Sequence, residues 1–432
     1  MMTMTDTFNE LGLPAHLLRA LEAQNITTPT PIQAQAIPHA MNGRDVMGLA
    51  QTGTGKTNAF GLPLVAQMLA MDGKPAPKTV RGLVLAPTRE LARQIQEQLM
   101  HLVKGTPMKV GLVVGGASLS AQAARLAKGT DILVATPGRL LDLLDRRALI
   151  LSEARFLVLD EADQMLDMGF IHALRKISGL LPSTRQTMLF SATMPKQMEE
   201  IAQSYLVKPA RVQVNPPGQA VEKIAQEVHY IAKAEKFNLL KEMLDAHRDE
   251  LALVFGRTKH GMEKLSRMLE SAGFAVASIH GNKSQGQRQR ALDAFKTGKV
   301  RVLVATDVAA RGLDIPEVKH VYNYELPNVA ENYVHRIGRT ARAGREGRAI
   351  AFCSPDEMGE LKDIQKTMKN DIPVASGTPW EKVAGPGGKS NSGGRGRGAA
   401  PKPGGARRAQ QRKRSQGGGQ GGGGGRGRGH AA

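Results

Sequence analysis

The stretch Ala50-Gln51-Thr52-Gly53-Thr54-Gly55-Lys56-Thr57 constrains this chain more than any other. It follows a short apolar run, Val46 to Leu49, and reads as a phosphate-binding loop between a strand and a helix. Gly53 and Gly55 let the backbone turn its N–H groups inward around phosphate oxygens, with Gln51, Thr52 and Thr54 forming the rest of the turn. Lys56 is then placed to reach the outer phosphates, and the Thr57 hydroxyl to meet a magnesium ion. The expected ligand is a nucleoside triphosphate with Mg2+. The general pattern has Gly where Ala50 stands, so the reading requires a partner carboxylate further along the chain.

Several apolar runs of strand length follow, each succeeded by a helix-like or turn-like stretch: Arg81 to Pro87, Lys109 to Gly116, Asp131 to Pro137, Phe156 to Asp160 and Gln186 to Thr193. This alternation predicts a doubly wound parallel sheet with its ligands at the carboxyl ends of the strands. The required carboxylate appears at such an end, where Phe156-Leu157-Val158-Leu159 leads into Asp160-Glu161-Ala162-Asp163. Asp160 can hold the water shell of magnesium, and Glu161 can orient or deprotonate an attacking water. Gln33, after the interruption Thr27 to Ile32, offers a donor and an acceptor that match an adenine edge.

Tyr205 to Gln219, with Pro209, Pro216, Pro217 and Gly218, reads as a linker. The strand-helix pattern then restarts at Leu251 to Phe255 and continues through Ala275 to His280, Val300 to Ala305, His320 to Tyr324 and Arg348 to Phe352. This second sheet has no phosphate loop. It does carry Arg311 and the cluster His335-Arg336-Ile337-Gly338-Arg339-Thr340-Ala341-Arg342, cations suited to stabilising a transferring phosphoryl group or, alternatively, to facing RNA as a basic patch.

The chain has 432 residues, enough for two domains, and a formal net charge of +20, which points to a polyanionic partner. Pro386 to Ala432 contains eleven Lys or Arg and no Asp or Glu, so the excess is concentrated at the end. One cysteine, Cys353, excludes an internal disulfide framework and reads as a small buried residue. The chain shows no signal-peptide pattern at Met1 to Phe8 and no membrane-length apolar run, so a soluble, cytoplasmic protein is expected.

Taken together, the ordered motifs resemble those of the DEAD-box RNA helicases of superfamily 2, from about Phe8 to Ser354. The matching stretches are Pro29 to Gln33, Ala50 to Thr57, Pro87 to Ala92, Gly115-Gly116, Thr136 to Arg139, Asp160 to Asp163, Ser191-Ala192-Thr193, Val254 to Lys259, Gln285 with Arg288, Ala305 to Asp314 and His335 to Arg342. Asp163 to Phe170, followed by Ile171 and Ala173, is similar to the bacterial RhlE-type subgroup.

The resemblance implies two tandem RecA-like doubly wound domains, over residues 1–212 and 222–376, with a linker at 213–221; the low-complexity composition of residues 377–432 predicts a disordered Gly/Arg-rich tail. The resemblance also implies that Phe8 stacks on the adenine that Gln33 reads, and that Asp307 lies near the ribose. Lys56, Asp160, Glu161 and the arginine fingers Arg336 and Arg339 would form the catalytic set, with Mg2+ held by Thr57 and Asp160 largely through water. Asp163, Ser191, Thr193 and His335 would couple hydrolysis to domain closure. RNA would lie on Arg89, Gly116, Thr136, Arg139, Thr258, Gln285, Arg288, Thr306 and Arg311, with little sequence specificity. Asn25, Ile26 and Ala341 depart from the usual residues of the family without removing a catalytic group.

The expected activity is RNA-stimulated ATP hydrolysis coupled to local separation of short duplexes, in ribosome assembly or RNA remodelling and decay. An RNA clamp that only binds ATP and a DNA-directed motor are the competing classes. The tail, with Gly393 to Gly398, Arg412-Lys413-Arg414, Arg426 and Arg428 set in low-complexity sequence, reads as a loose RNA tether or as a solubilising segment.

Overall fold

The computed structural model describes residues 7–50, 53–214, 224–310, 318–341 and 347–380. Fourteen strands alternate with helices along these segments. In the first half they are β1 (Val46–Leu49), β2 (Val80–Leu85), β3 (Val110–Val113), β4 (Thr130–Ala135), β5 (Phe156–Leu159), β6 (Gln186–Ser191) and β7 (Ala210–Gln213). In the second half they are β8 (Ile224–Tyr230), β9 (Ala252–Gly256), β10 (Val276–Ile279), β11 (Val302–Thr306), β12 (His320–Asn323), β13 (Gly347–Cys353) and β14 (Val374–Ser376).

The first sheet has the order β3-β4-β2-β5-β6-β1-β7 and the second β10-β11-β9-β12-β13-β8-β14. Counted from its own first strand, each half has the same order, and every pairing is parallel. A parallel sheet must be covered on both faces, and its strands show how. Val84, Val134, Val158 and Phe190 face one core, while Leu83, Leu133, Leu157 and Leu189 face the other. In the second sheet Leu253, Phe255, Leu303 and Ala305 face one core, and Val254, Val302, Val304 and Tyr322 face the opposite one. Helices from the crossover connections supply the outer layers, so each half is a three-layer α/β unit.

The stretch expected to be a linker is partly built into the fold. Tyr205 is a buried helix end, and Ala210–Gln213 pairs with β1. Its alternation of buried and exposed residues is that of an edge strand, and the prolines on either side hid so short a run. Strands β8 and β14 were also not foreseen; β14 lies against β8 with a register shift and is exposed along its length. The tail expected from Gly377 therefore begins later. Trp380 Nε1 donates to the carbonyl of Cys353 at 3.1 Å, so Gly377 to Trp380 belong to the packed body. Residues 381–432, and with them the arginines of the Gly-rich segment, lie outside the described residues.

Cys353 is fully buried, as expected. Asn25 adopts φ +57°, a left-handed conformation that asparagine tolerates better than most residues. Ala341 takes φ +54° without that help. No helix among the described residues is long and apolar enough to cross a membrane.

Candidate active site

The carboxyl end of β1 runs into the glycine loop, and the helix Lys56–Leu69 starts from it. Gly53 and Gly55 sit at φ +86° and +89°, conformations that glycine enters at little cost. Gly55 has a second reason to be glycine: a Cβ there would lie 2.5 Å from Gln33 Nε2. Gln33, on the helix Pro31–Met41, donates from Nε2 to the Gly55 carbonyl at 3.0 Å, and its Oε1 accepts from the Thr30 N–H at 3.0 Å. The amide thus joins its helix start to the loop and keeps one donor hydrogen and one lone pair for a base edge. Phe8 is 4% exposed, inside the core cluster that also holds Ile32 and Ile37. Gln51 and Thr52 lie outside the described residues.

Lys56 is 6% exposed, and its Nζ has no hydrogen-bond partner among the described residues. A buried ammonium in that state is costly unless an anion meets it. Asp160, at the end of β5, is 2% exposed, and burial lifts its carboxyl to about 6; the Lys56 charge opposes that rise, and Glu161 and Asp163 add to it. A polyphosphate would satisfy the ammonium, and a divalent cation the desolvated carboxylate, so the residues present fit both groups. Glu161, 2% exposed, adopts φ +50° and ψ +51° at the entry to the helix Ala162–Asp167. That conformation costs a non-glycine residue about 1–2 kcal/mol, and surrounding packing must hold it.

Part of that restraint comes from Asp163, only two residues on. Its Oδ2 accepts from the N–H groups of Ala192 and Thr193 at 3.1 and 2.8 Å and from Thr193 Oγ1 at 2.9 Å, while Oδ1 accepts from the Gln164 N–H at 3.0 Å. Ser191 Oγ donates to the Thr193 carbonyl at 2.7 Å. The ends of β5 and β6 are thereby clamped by one carboxylate. An asparagine cannot accept at both positions. Asp163→Asn is therefore expected to destabilise the fold by about 1–3 kcal/mol, which denaturant titration checks.

In the second half, Arg336 lies on the helix Ala330–Ile337 and is 2% exposed. Its Nε and NH2 donate to the two Asp307 oxygens at 2.5 and 2.8 Å, and NH1 donates to Asn323 Oδ1 at 3.1 Å and to the Glu325 carbonyl at 2.6 Å. The guanidinium also sits 5.1 Å from the centre of the Phe255 ring. Two residues expected on different parts of a nucleotide thus hold each other here. Arg339 is likewise buried, at 3% exposure, and His335, on the same helix as Arg336, is half-buried. Arg311 and Arg342 lie outside the described residues.

Arg89, Gly116, Thr136 and Arg139 gather beyond the carboxyl ends of β2, β3 and β4. Gly116 has φ +81°, and a Cβ there would lie 2.2 Å from Arg89 NH1. Arg139 NH1 donates to the Ala117 carbonyl at 2.8 Å, and Thr136 precedes the helix Pro137–Asp145. In the second half, exposed Thr258 caps the helix Lys259–Ser271, its Oγ1 accepting from the Gly261 N–H at 3.0 Å. Thr306 ends β11 and is buried.

Gln285 and Arg288 have a partner that sequence reasoning missed. Gln285 Nε2 and Arg288 NH2 each lie 3.1 Å from Glu90 Oε1, and Arg288 NH2 also donates to the Ala309 carbonyl at 3.2 Å. Burial draws the Arg288 guanidinium down from its usual range, against the Glu90 charge. Glu90 stands beside Arg89 in the same motif, and its adjacency was the only available signal. The contact joins a helix of the first half to one of the second.

The family described as DEAD/DEAH box helicase matches residues 30–201, and the helicase conserved C-terminal domain matches residues 235–344. The DEAD-box ATP-dependent RNA helicase CshA of Bacillus cereus is 46% identical over 366 residues, spanning 85% of this chain and 69% of that protein. CshA of Bacillus subtilis is 44% identical over 369 residues, spanning 85% and 74%. Among solved structures, S. cerevisiae Dbp5 bound to RNA and ADP BeF3 superposes with a TM-score of 0.75 at 33% identity, covering 86% of this chain and 95% of that one. Mss116p bound to ssRNA and AMP-PNP gives 0.79 at 28% identity, covering 88% and 81%. Two repeats of one RecA-like topology, a phosphate loop in the first alone, and this level of identity along most of the chain make it a member of the DEAD-box family of ATP-dependent RNA helicases.

Proposed function

We propose that this enzyme separates short RNA duplexes locally, using ATP to bring its two domains together around one strand. The observation that carries the reading is the buried Lys56 ammonium without a hydrogen-bond partner among the described residues, beside Asp160 and Glu161 at the carboxyl edge of the first sheet. Lys56 and the loop N–H groups bind the triphosphate, and the Gln33 amide reads the adenine. Thr57 and Asp160 would hold Mg2+, which supplies charge neutralisation on the phosphate oxygens. Glu161 orients the attacking water and takes its proton. Arg336 and Arg339 complete the site from the second domain, and Arg336 must exchange part of its Asp307, Asn323 and Glu325 contacts for phosphate oxygens to do so.

ATP and RNA then bind cooperatively, since each favours the closed arrangement. Arg89, Gly116, Thr136 and Arg139 on one domain, and Thr258, Gln285, Arg288, Thr306 and Arg311 on the other, carry the RNA backbone. Asp163, Ser191, Thr193 and His335 link phosphate loss to reopening. We place the domains at 1–212 and 222–376, extended to Trp380 by its bond to Cys353, with 213–221 as linker. On the Asp163 to Phe170 stretch we assign the RhlE type, while the relatives compared above carry the CshA name. The setting we propose is ribosome assembly or RNA remodelling and decay in the cytoplasm.

A fluorescent duplex assay tests this reading. Short RNA duplexes are expected to separate with ATP and not with Lys56→Ala, and DNA duplexes of equal length to stimulate turnover less. Equal or greater stimulation by DNA would show a DNA-directed motor instead. A chain ending at Trp380 is expected to bind RNA more weakly and with a shallower dependence of affinity on salt; identical affinity and slope would remove the tether from the account.

A further inference from the structure

On the second domain, away from the nucleotide and RNA residues, two histidines and a glutamate converge. His247 and Glu250 share one turn after the helix Lys236–Asp245, closed by the Glu250 N–H donating to the His247 carbonyl at 3.0 Å. His320 opens β12. One oxygen, Glu250 Oε2, is approached by His320 Nε2 within hydrogen-bonding distance and by His247 Nδ1 at 3.7 Å. The two imidazole rings stack with centroids 4.5 Å apart and planes 22° from parallel, and the three donor atoms all lie within 4.8 Å of one another.

We propose that His247, Glu250 and His320 form a binding site for a divalent ion of the zinc class, with a water in the remaining position. Two imidazoles and one carboxylate are a recognised donor set for such an ion, which takes them at about 2.0–2.2 Å. Two of the three donor pairs are already 3.7 Å apart or closer, so a modest inward movement of the half-exposed His247 closes the set. His320 is 3% exposed, and its Nδ1 has no hydrogen-bond partner among the described residues. Its polar contact is therefore the one on Glu250, the point where the ion would replace a shared proton.

Both Glu250 oxygens are already engaged, Oε1 by the Lys319 ammonium and Oε2 by the His320 ring, so the carboxylate is held in place facing the two imidazoles. Lys319 Nζ, 2.7 Å from Glu250 Oε1, orients the carboxylate from the other side while weakening its attraction for a cation. Mg2+ prefers an oxygen shell and is not expected to compete.

The site would tie the turn after one helix to β12 at the amino ends of the strands, since Leu251 and the start of β9 follow Glu250 directly. Catalytic residues sit at the opposite ends, so the ion would brace the second domain without entering the reaction.

Titration of the full chain with Zn2+, read by calorimetry and by the visible absorption of Co2+ substituted for it, tests the assignment. The unaltered protein is expected to bind one equivalent that His247→Ala binds at least about tenfold more weakly, and Lys319→Gln is expected to tighten it. ATP turnover with RNA should be the same in His247→Ala, which separates this test from failure of the helicase reading. Circular dichroism establishes that the half-exposed position tolerates the change. An equal titre in His247→Ala, or no saturable Zn2+ binding to the unaltered chain, overturns the proposal.

Discussion

Replacing Glu161 with Gln is expected to lower RNA-stimulated ATP turnover by about 10²–10⁴-fold, the range over which a positioned general base contributes. Glutamine preserves the size of the side chain and can occupy the same left-handed backbone position. It cannot take a proton from water. ATP affinity should change little, because in the proposed site Lys56 and the loop N–H groups would bind the phosphates independently of this carboxylate. Single-turnover hydrolysis and nucleotide binding, measured on the same preparation, separate the two quantities. Turnover within tenfold of the unaltered enzyme would show that the attacking water is oriented by another group. Loss of ATP binding would show instead that Glu161 shapes the pocket.

The second large effect concerns stability. Lys236 is 2% exposed; its Nζ donates to the carbonyls of Tyr324 at 2.9 Å and Phe352 at 3.0 Å and pairs with Glu357 Oε2. Glu357 Oε2 also accepts from Ser354 Oγ at 2.7 Å, and Oε1 accepts from the Leu326 N–H at 3.0 Å and Arg257 NH2 at 3.3 Å. One buried pair therefore joins a helix start, the end of β13 and the segment after β12. Lys236→Met is expected to destabilise the second domain by about 3–5 kcal/mol, since it leaves two carbonyls without their donor and the buried Glu357 carboxylate with Arg257, at 3.3 Å, in place of its close Lys236 partner. Urea denaturation followed by circular dichroism measures this. The double replacement Lys236→Met/Glu357→Gln should cost less than the sum of the single changes, because both members of the close buried pair are then neutral. A loss below about 1 kcal/mol in the single variant would mean that water reaches the cavity and solvates Glu357.

Much of this architecture was legible in the residues. Val46 to Leu49 followed by a glycine loop, and Phe156 to Leu159 followed by Asp160-Glu161, are strand-and-site signals that need no partner to be recognised. The short edge strand Ala210–Gln213 was not legible, because prolines surround it and its stability comes from pairing with β1. Strand Ile224–Tyr230 carries Gln226, Glu227 and His229 among its apolar residues, and it becomes a strand by lying beside β13. Trp380 looked like part of a low-complexity tail until its indole N–H found the Cys353 carbonyl.

Local sequence determined which chemistry is present: the phosphate loop, the Asp160-Glu161 pair, the arginines near the end of the second domain, and the basic excess. These depend on residue type and short spacing, properties a chain carries before it folds. Tertiary structure alone decided what each group touches. It left Lys56 buried without a hydrogen-bond partner among the described residues, raised the Asp160 carboxyl by desolvation, and set Asp163 across the turn Ser191 to Thr193. It also paired Arg336 with Asp307, brought Glu90 to Gln285 and Arg288 across 195 or more positions of sequence, and gathered His247, Glu250 and His320 on one edge. The physical reason is that burial and long-range hydrogen bonding arise from packing elements far apart in the chain, and no local pattern records them.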